Sequence, residues 1–350
     1  MRILVMGAGA IGSLVGGYLA ASGHDVTLVG RRDYVNAVRE RGLVVKQQEQ
    51  GNSLITHPQA ITGVGEIEER SFDVVLITTK AYDTATAAQQ VRTILTRSTV
   101  VLLLQNGVGG EEIALNVLGH VPFLSAVVTL AVAVDAPGCV SLVTQKGGLT
   151  FAPVHGEVPV VKIAKTFAAT GFRTAICKDY REVKWSKLLL NLLANAIPAI
   201  LDMKPEEVYA DPRLFALERA ALREALAVMA ALRLRPVDLV GYPVRLFAYA
   251  MRHFPQPVLH TTLRYIIAGG RGGKAPSLHL DLVRGKAESE VDFLNGAVVR
   301  AGVEVGIPTP VNQLLYSTLR NIVQQELPWQ TFRRRPEALL ALFEQRSSDE

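Results

Sequence analysis

Six residues near the N-terminus, Gly7-Ala8-Gly9-Ala10-Ile11-Gly12, join an apolar run at 3–6 to a helical pattern at 11–22. This glycine spacing, placed between strand and helix, commits the chain to a βαβ start. Gly7 permits the tight turn, Gly9 lets the backbone approach a pyrophosphate, and Gly12 lets helix and strand pack closely. Ala8, Ala10 and Ile11 complete the loop, and the helix N-terminus offers free N–H groups and a positive dipole end to phosphate. A second strand at 25–29 ends about 20 residues later, as a dinucleotide site requires. Further short apolar runs at 73–78 and 99–104, each separated by helical pattern, imply a parallel sheet covered on both faces. Residues 125–134 and 139–144 read as additional strands at the far side of that sheet, with antiparallel pairing open to them.

The second strand runs into Gly30-Arg31-Arg32. A site for NAD usually places an acidic residue here, against the ribose 2′-OH. Two guanidinium groups suit a 2′-phosphate better, so NADPH is the expected cofactor. The neighbouring Asp33 pulls the other way, and a solvated basic loop is the plain alternative. After Lys184 the pattern becomes helical: 185–200, 212–232, 278–302 and 311–325. The chain therefore reads as α/β, an N-terminal Rossmann-type dinucleotide-binding domain at 1–180 followed by an all-helical domain at 181–330 and a charged tail at 331–350. The glycine-rich run 269–274 reads as a flexible loop.

With 350 residues, two domains can each bury a core, and 49% hydrophobic against 20% charged residues is a globular balance. The net charge of +5 is spread along the chain, and Arg333-Arg334-Arg335 reads as a solvated tail face rather than a nucleic-acid patch. Two cysteines and seven scattered histidines offer no metal-ligand spacing. No leader pattern and no membrane-length apolar run is expected, which makes the cytoplasm the default location. The long Arg/Leu/Ala helices suit a homodimer interface and a monomer core equally.

Within the helical half, Lys187, Asn191 and Asn195 stand four apart in an otherwise oily stretch. On one helix that spacing drifts about 40° per step, so the three side chains share a stripe. A buried amine and two buried amides are costly unless they meet partners or a ligand. The stripe therefore reads as a wall of a catalytic cleft, with helix–helix hydrogen bonding as the alternative for the two amides.

The glycine loop is followed in order by Thr78-Thr79-Lys80-Ala81-Tyr82, Gln105-Asn106-Gly107-Val108-Gly109 and Trp185-Ser186-Lys187-Leu188 with Asn191 and Asn195. Ser277 to Asp281 and Ser289-Glu290-Val291-Asp292 then complete the series. In this combination the chain resembles the ketopantoate reductases over residues 1–325. The resemblance implies NADPH-dependent reduction of 2-dehydropantoate to (R)-pantoate, a step towards pantothenate and coenzyme A. It also implies an active site in a cleft between the two domains. It places Lys187 as the catalytic lysine with Glu290 as its acidic partner, and Asn191, Asn195 and Ser277 on the substrate. Lys80 and Asn106 fall on the cofactor side, Asn106 also reaching the substrate.

The chemistry suits those residue types. Hydride attack on a ketone builds negative charge on the carbonyl oxygen, which an ammonium can stabilise and protonate. Two departures stand out. The segment 232–273 is surplus to a compact member, and Ser277-Leu278-His279-Leu280-Asp281 lacks a glutamine of the family's run. The spacing from Asp281 to Glu290 is one residue longer than the family's run leads one to expect, so Glu288 is the fallback. A reductase of another 2-oxo acid, or a non-catalytic NADPH-binding regulator, are the competing expectations.

Overall fold

The computed structural model describes residues 1–49, 51–68, 71–144, 146–270 and 276–348. The chain divides into two compact units, the first holding residues 1–184 and 238–242, the second 185–237 and 243–350. Residues 331–350 belong to the second unit.

The first unit begins β1 (Arg2–Met6), α1 (Ala10–Ala21), β2 (Asp25–Val29) and α2 (Arg32–Arg41). Then come β3 (Leu43–Gln47), β4 (Asn52–Thr56), β5 (Gln59–Ile61), β6 (Val74–Ile77), α3 (Thr84–Arg92), β7 (Val100–Leu103) and α4 (Gly110–Leu118). It continues with β8 (Phe123–Val128), β9 (Ala131–Ala136), β10 (Cys139–Thr144), β11 (Leu149–His155), α5 (Val160–Ala169) and β12 (Thr174–Ile176). Eight strands form one sheet in the order β12-β11-β8-β7-β6-β1-β2-β5. Its centre, from β8 to β5, is parallel, and β11 runs antiparallel to β8.

The alternation of the central strands explains their uniform oiliness. Ile3, Val5, Val74 and Leu76 enter one core with Leu14 of α1 and Ile163 of α5. Leu4, Met6, Val75 and Ile77 enter the other with Ala87 of α3 and Ala114 of α4. A strand buried on both faces keeps no polar side.

The run expected as one strand at 125–134 is two. Thr129 breaks it: its N–H donates to the Gly148 carbonyl at 2.9 Å and its hydroxyl to that of Val240 at 2.7 Å. The second piece, β9, leaves for a separate sheet of order β4-β3-β10-β9. That sheet packs on α1, whose Gly17 sits so close to β3 that a Cβ would fall 2.8 Å from Val45.

The second unit is helical. The division falls within α6 (Tyr180–Leu192), which is followed by α7 (Ala196–Leu201), α8 (Pro205–Val208), α9 (Pro212–Ala231), α10 (Val244–His253) and α11 (Gln256–Gly270). Then come α12 (Ser277–Val283), α13 (Asn295–Val305), α14 (Pro310–Val323) and α15 (Pro336–Ser348). The long α9 is the hub, touching α10, α11, α13, α14 and α15.

Two expected helices are interrupted. The stretch 185–200 is split at Leu193–Asn195, where Ala194 takes a left-handed φ of 50°. The stretch 278–302 is split between Val283 and Asn295, with only a short 3-10 turn over Glu290–Phe293. Of the glycine-rich run, 271–274 lies outside the described residues, while Gly269 and Gly270 close α11. No helix among the described residues is long and apolar enough to cross a membrane.

Candidate active site

In the first unit the site is built where β1, β2, β6 and β7 end. Gly7 adopts φ +107°, and a Cβ on it would lie 2.8 Å from the Thr79 nitrogen. A Cβ on Gly12 would lie 2.3 Å from the Gly7 carbonyl oxygen. Both positions exclude a side chain, one by backbone angle and crowding, the other by helix–strand contact. Gly9 is different: a Cβ there meets nothing within 4 Å. Gly9 caps α1 without a side-chain hydrogen bond, and the helix has no acidic residue in its first turn. The first intrahelical bond comes from Ser13 to Gly9, so the N–H groups of Ala10, Ile11 and Gly12 precede it. Open space over bare backbone at a positive helix end fits an anionic dinucleotide.

The loop is tied to β2, since Gly7 and Ala8 both donate to the Val29 carbonyl, at 3.2 and 2.9 Å. Arg31 and Arg32 follow at that strand end and are exposed, as is Asp33. Tyr34 fills the space beside Gly30, where a Cβ would meet its ring at 2.7 Å. The Ser13 hydroxyl donates to its phenol oxygen at 3.0 Å. Burial pushes the Tyr34 phenol up to about 12, against a smaller opposite pull from Ser13.

Two neighbouring strand ends carry Lys80 and Asn106. Thr78 donates to the Gly7 carbonyl at 2.7 Å, which fixes the loop after β6 against the glycine turn. Gln105 donates through Nε2 to Thr79 Oγ1 at 3.0 Å and to the Lys80 carbonyl at 3.3 Å. Its Oε1 accepts from Thr84 at 2.9 Å. Lys80 is half-buried and Asn106 exposed. Gln105 was legible within the Gln-Asn-Gly run, yet its role as the clasp between the two loops carries no sequence signal. Two further groups escaped the sequence reading. Lys184 and Glu111 form an ion pair of 3.1 Å with side chains only 3% and 1% exposed.

In the second unit, Lys187 and Asn191 lie one turn apart on α6 and are half-buried. Asn195 does not extend their stripe, because α6 has ended; it stands at the head of α7. It is nonetheless kept near Asn191. Its Nδ2 donates to the Asn191 carbonyl at 2.9 Å, and its Oδ1 accepts from the Leu278 N–H at 3.3 Å. That second bond brings in the first turn of α12, where Ser277 is exposed.

The break itself is held by Glu218 of α9, whose buried carboxylate accepts from the Ala194 N–H at 2.8 Å and from the Tyr209 hydroxyl. Glu290 is 4% exposed and opens the 3-10 turn after Ser289, whereas Glu288 is exposed. Because the segment between Asp281 and Glu290 is not helical, the extra residue there rotates nothing. There Lys286 makes a turn by donating its N–H to the Asp281 carbonyl at 3.2 Å.

Comparison with known proteins gives matches across both units. The family described as ketopantoate reductase PanE/ApbA matches residues 3–156, and its C-terminal counterpart matches 179–323. A 2-dehydropantoate 2-reductase of Archaeoglobus fulgidus is 31% identical over 326 residues, covering 92% of this chain and 97% of that protein. The crystal structure of a PanE/ApbA family ketopantoate reductase from Ralstonia eutropha JMP134 has a TM-score of 0.77 at 29% identity, covering 93% and 99% of the two chains. The D-mandelate dehydrogenase solved with NADH and anilino(oxo)acetate shares the fold, with a TM-score of 0.76 at 22% identity over 93% and 99%.

Proposed function

Since the chain belongs to the ketopantoate reductase family and is an oxidoreductase on a dinucleotide-binding fold, we propose that it reduces 2-dehydropantoate to (R)-pantoate with NADPH. The observation that carries the reading is that the family match runs through both units. The glycine loop and the amine-bearing helix are thus kept together in one chain.

In this reading Gly9 and the N–H groups of Ala10 and Ile11 would hold the pyrophosphate, and Arg31 and Arg32 would take the 2′-phosphate. Bound there, the reduced nicotinamide supplies hydride to the substrate's C2. Lys80 and Asn106, at the ends of β6 and β7, stand where open α/β sheets bind ligands. Lys187 stabilises the oxygen that gains charge and passes it a proton. Glu290, a buried carboxylate in the same unit, balances the ammonium between turnovers. Asn191, Asn195 and Ser277 hold the substrate's carboxylate and hydroxyl, where neutral donors and acceptors of fixed geometry give orientation without extra charge. The product belongs to the supply of pantothenate, and the enzyme works in the cytoplasm.

The test is oxidation of NADPH across a panel of 2-oxo acids that includes ketopantoate and bulkier relatives, with NADH as the control dinucleotide. Turnover is expected to be highest with ketopantoate and NADPH. A preference for a bulkier acid would reassign the substrate, and no turnover with any acid would defeat the reductase reading.

A further inference from the structure

The mechanism above leaves one buried charged pair without a task. Lys184 closes the first unit, and its ammonium makes two contacts there, 3.1 Å to Glu111 Oε1 and 2.8 Å to the Gln105 carbonyl. The same Glu111 oxygen accepts from Ser125 of β8 at 2.6 Å. A pair this deeply buried is a poor stabiliser, because desolvation of both ions offsets most of their attraction. Its value lies instead in what it holds in place.

The last ladder bond of β7 is the one from the Leu104 N–H to the Ile77 carbonyl, at 2.9 Å. At Gln105 the chain has left the sheet, so a side chain, Lys184, supplies the donor to the Gln105 carbonyl. Since the peptide is planar and trans, fixing the Gln105 carbonyl also fixes the Asn106 N–H. Gln105 is then held at both ends: its carboxamide by Thr79, Lys80 and Thr84, its carbonyl by Lys184.

We propose that Lys184 and Glu111 are positioning residues, which set the Gln105–Asn106 peptide so that Asn106 meets substrate and cofactor in a productive pose. The role rests on the reductase reading for Asn106. The ammonium orients the carbonyl, and Glu111 orients the ammonium, helped by Ser125 and by its place in the first turn of α4. No proton needs to leave the pair.

The decisive variant is the neutral double exchange Lys184→Met with Glu111→Gln. It removes both charges together, so its melting temperature is expected to stay close to wild type, whereas Lys184→Met alone strands a buried carboxylate and melts earlier. The double variant still lacks the donor to Gln105. Its kcat is expected to fall about 100-fold while its NADPH Kd stays within about threefold, the pattern of a misplaced group rather than a lost fold. Hydrogen exchange of residues 104–109 is expected to quicken in the same variant, and this readout does not depend on any substrate.

A double variant with wild-type kcat and wild-type exchange at 104–109 would overturn the proposal and leave the pair as packing alone. Should that variant fail to fold, Ser125→Ala takes its place: a few-fold loss of kcat with faster exchange at 104–109 supports the proposal, and no change in either refutes it. Wild-type protein that turns over no 2-oxo acid would defeat the reductase reading, and the exchange measurement would still decide whether the pair orders the segment.

Discussion

At Gly9 and Gly12 the same amino acid serves opposite ends, and substitution separates them. An alanine at Gly12 would press its Cβ to 2.3 Å from the Gly7 carbonyl, so Gly12→Ala is expected to cost about 3 kcal/mol in denaturant unfolding. An alanine at Gly9 meets no protein atom. Gly9→Ala is expected to keep wild-type stability yet weaken NADPH binding about tenfold or more by titration, because the methyl occupies the approach to bare backbone. Equal affinity in Gly9→Ala and wild type would remove the pyrophosphate from that spot. Tyr34 carries a pH signature of its own. Its pKa rises from 10.0 to about 12 through burial, so between those values the unfolded chain has lost a proton that the folded chain keeps. The contribution is whole below pH 10 and drains away as pH rises. Tyr34→Phe is expected to flatten the alkaline fall in stability over that window by about 2–3 kcal/mol, and an unchanged slope would refute the assignment.

Among the elements, the two interrupted helices teach most. Residues 185–200 were read as one helix, although Pro198 has no N–H to give the Ala194 carbonyl and so marks a break in the sequence itself. The break is also held from α9, where Glu218 offers a buried carboxylate to the N–H of the left-handed Ala194. Glu218→Ala is expected to destabilise the protein by about 2–4 kcal/mol, since it strands the Ala194 N–H and the Tyr209 hydroxyl, and urea titration would measure it. A loss under about 0.5 kcal/mol would mean that the break does not depend on this carboxylate. The central strands β1, β2, β6 and β7 were legible for the converse reason, since apolar runs buried on both faces write their burial into nearly every position, whereas β5, β11 and β12 were not read. In the small second sheet the strand at 139–144 was read, as β10, but the β3–β4 hairpin was not, because its two strands are half-exposed and alternate weakly. Gly16 and Gly17 let α1 lie close to both sheets, against Leu28 and Val45.

On the scale of the whole molecule, the residues proposed for the nucleotide and those proposed for the proton belong to different units. Gly7–Gly12, Arg31, Arg32, Lys80 and Asn106 lie in the first, and Lys187, Asn191, Asn195, Ser277 and Glu290 in the second. The proposed reaction draws on both groups of residues, so neither unit is expected to act without the other. The units divide after Lys184, and the return of 238–242 to the first unit depends on contacts such as that from Thr129 to Val240. The measurement that reaches the centre of the account is a comparison of Lys187→Ala with wild type in pre-steady-state NADPH oxidation on ketopantoate, with NADPH affinity measured alongside. The variant is expected to bind NADPH within about threefold of wild type and to lose about 1,000-fold or more in the rate of hydride transfer. A variant that oxidises NADPH at the wild-type rate would show that the proton comes from elsewhere, and the role given to Lys187 would have to be abandoned.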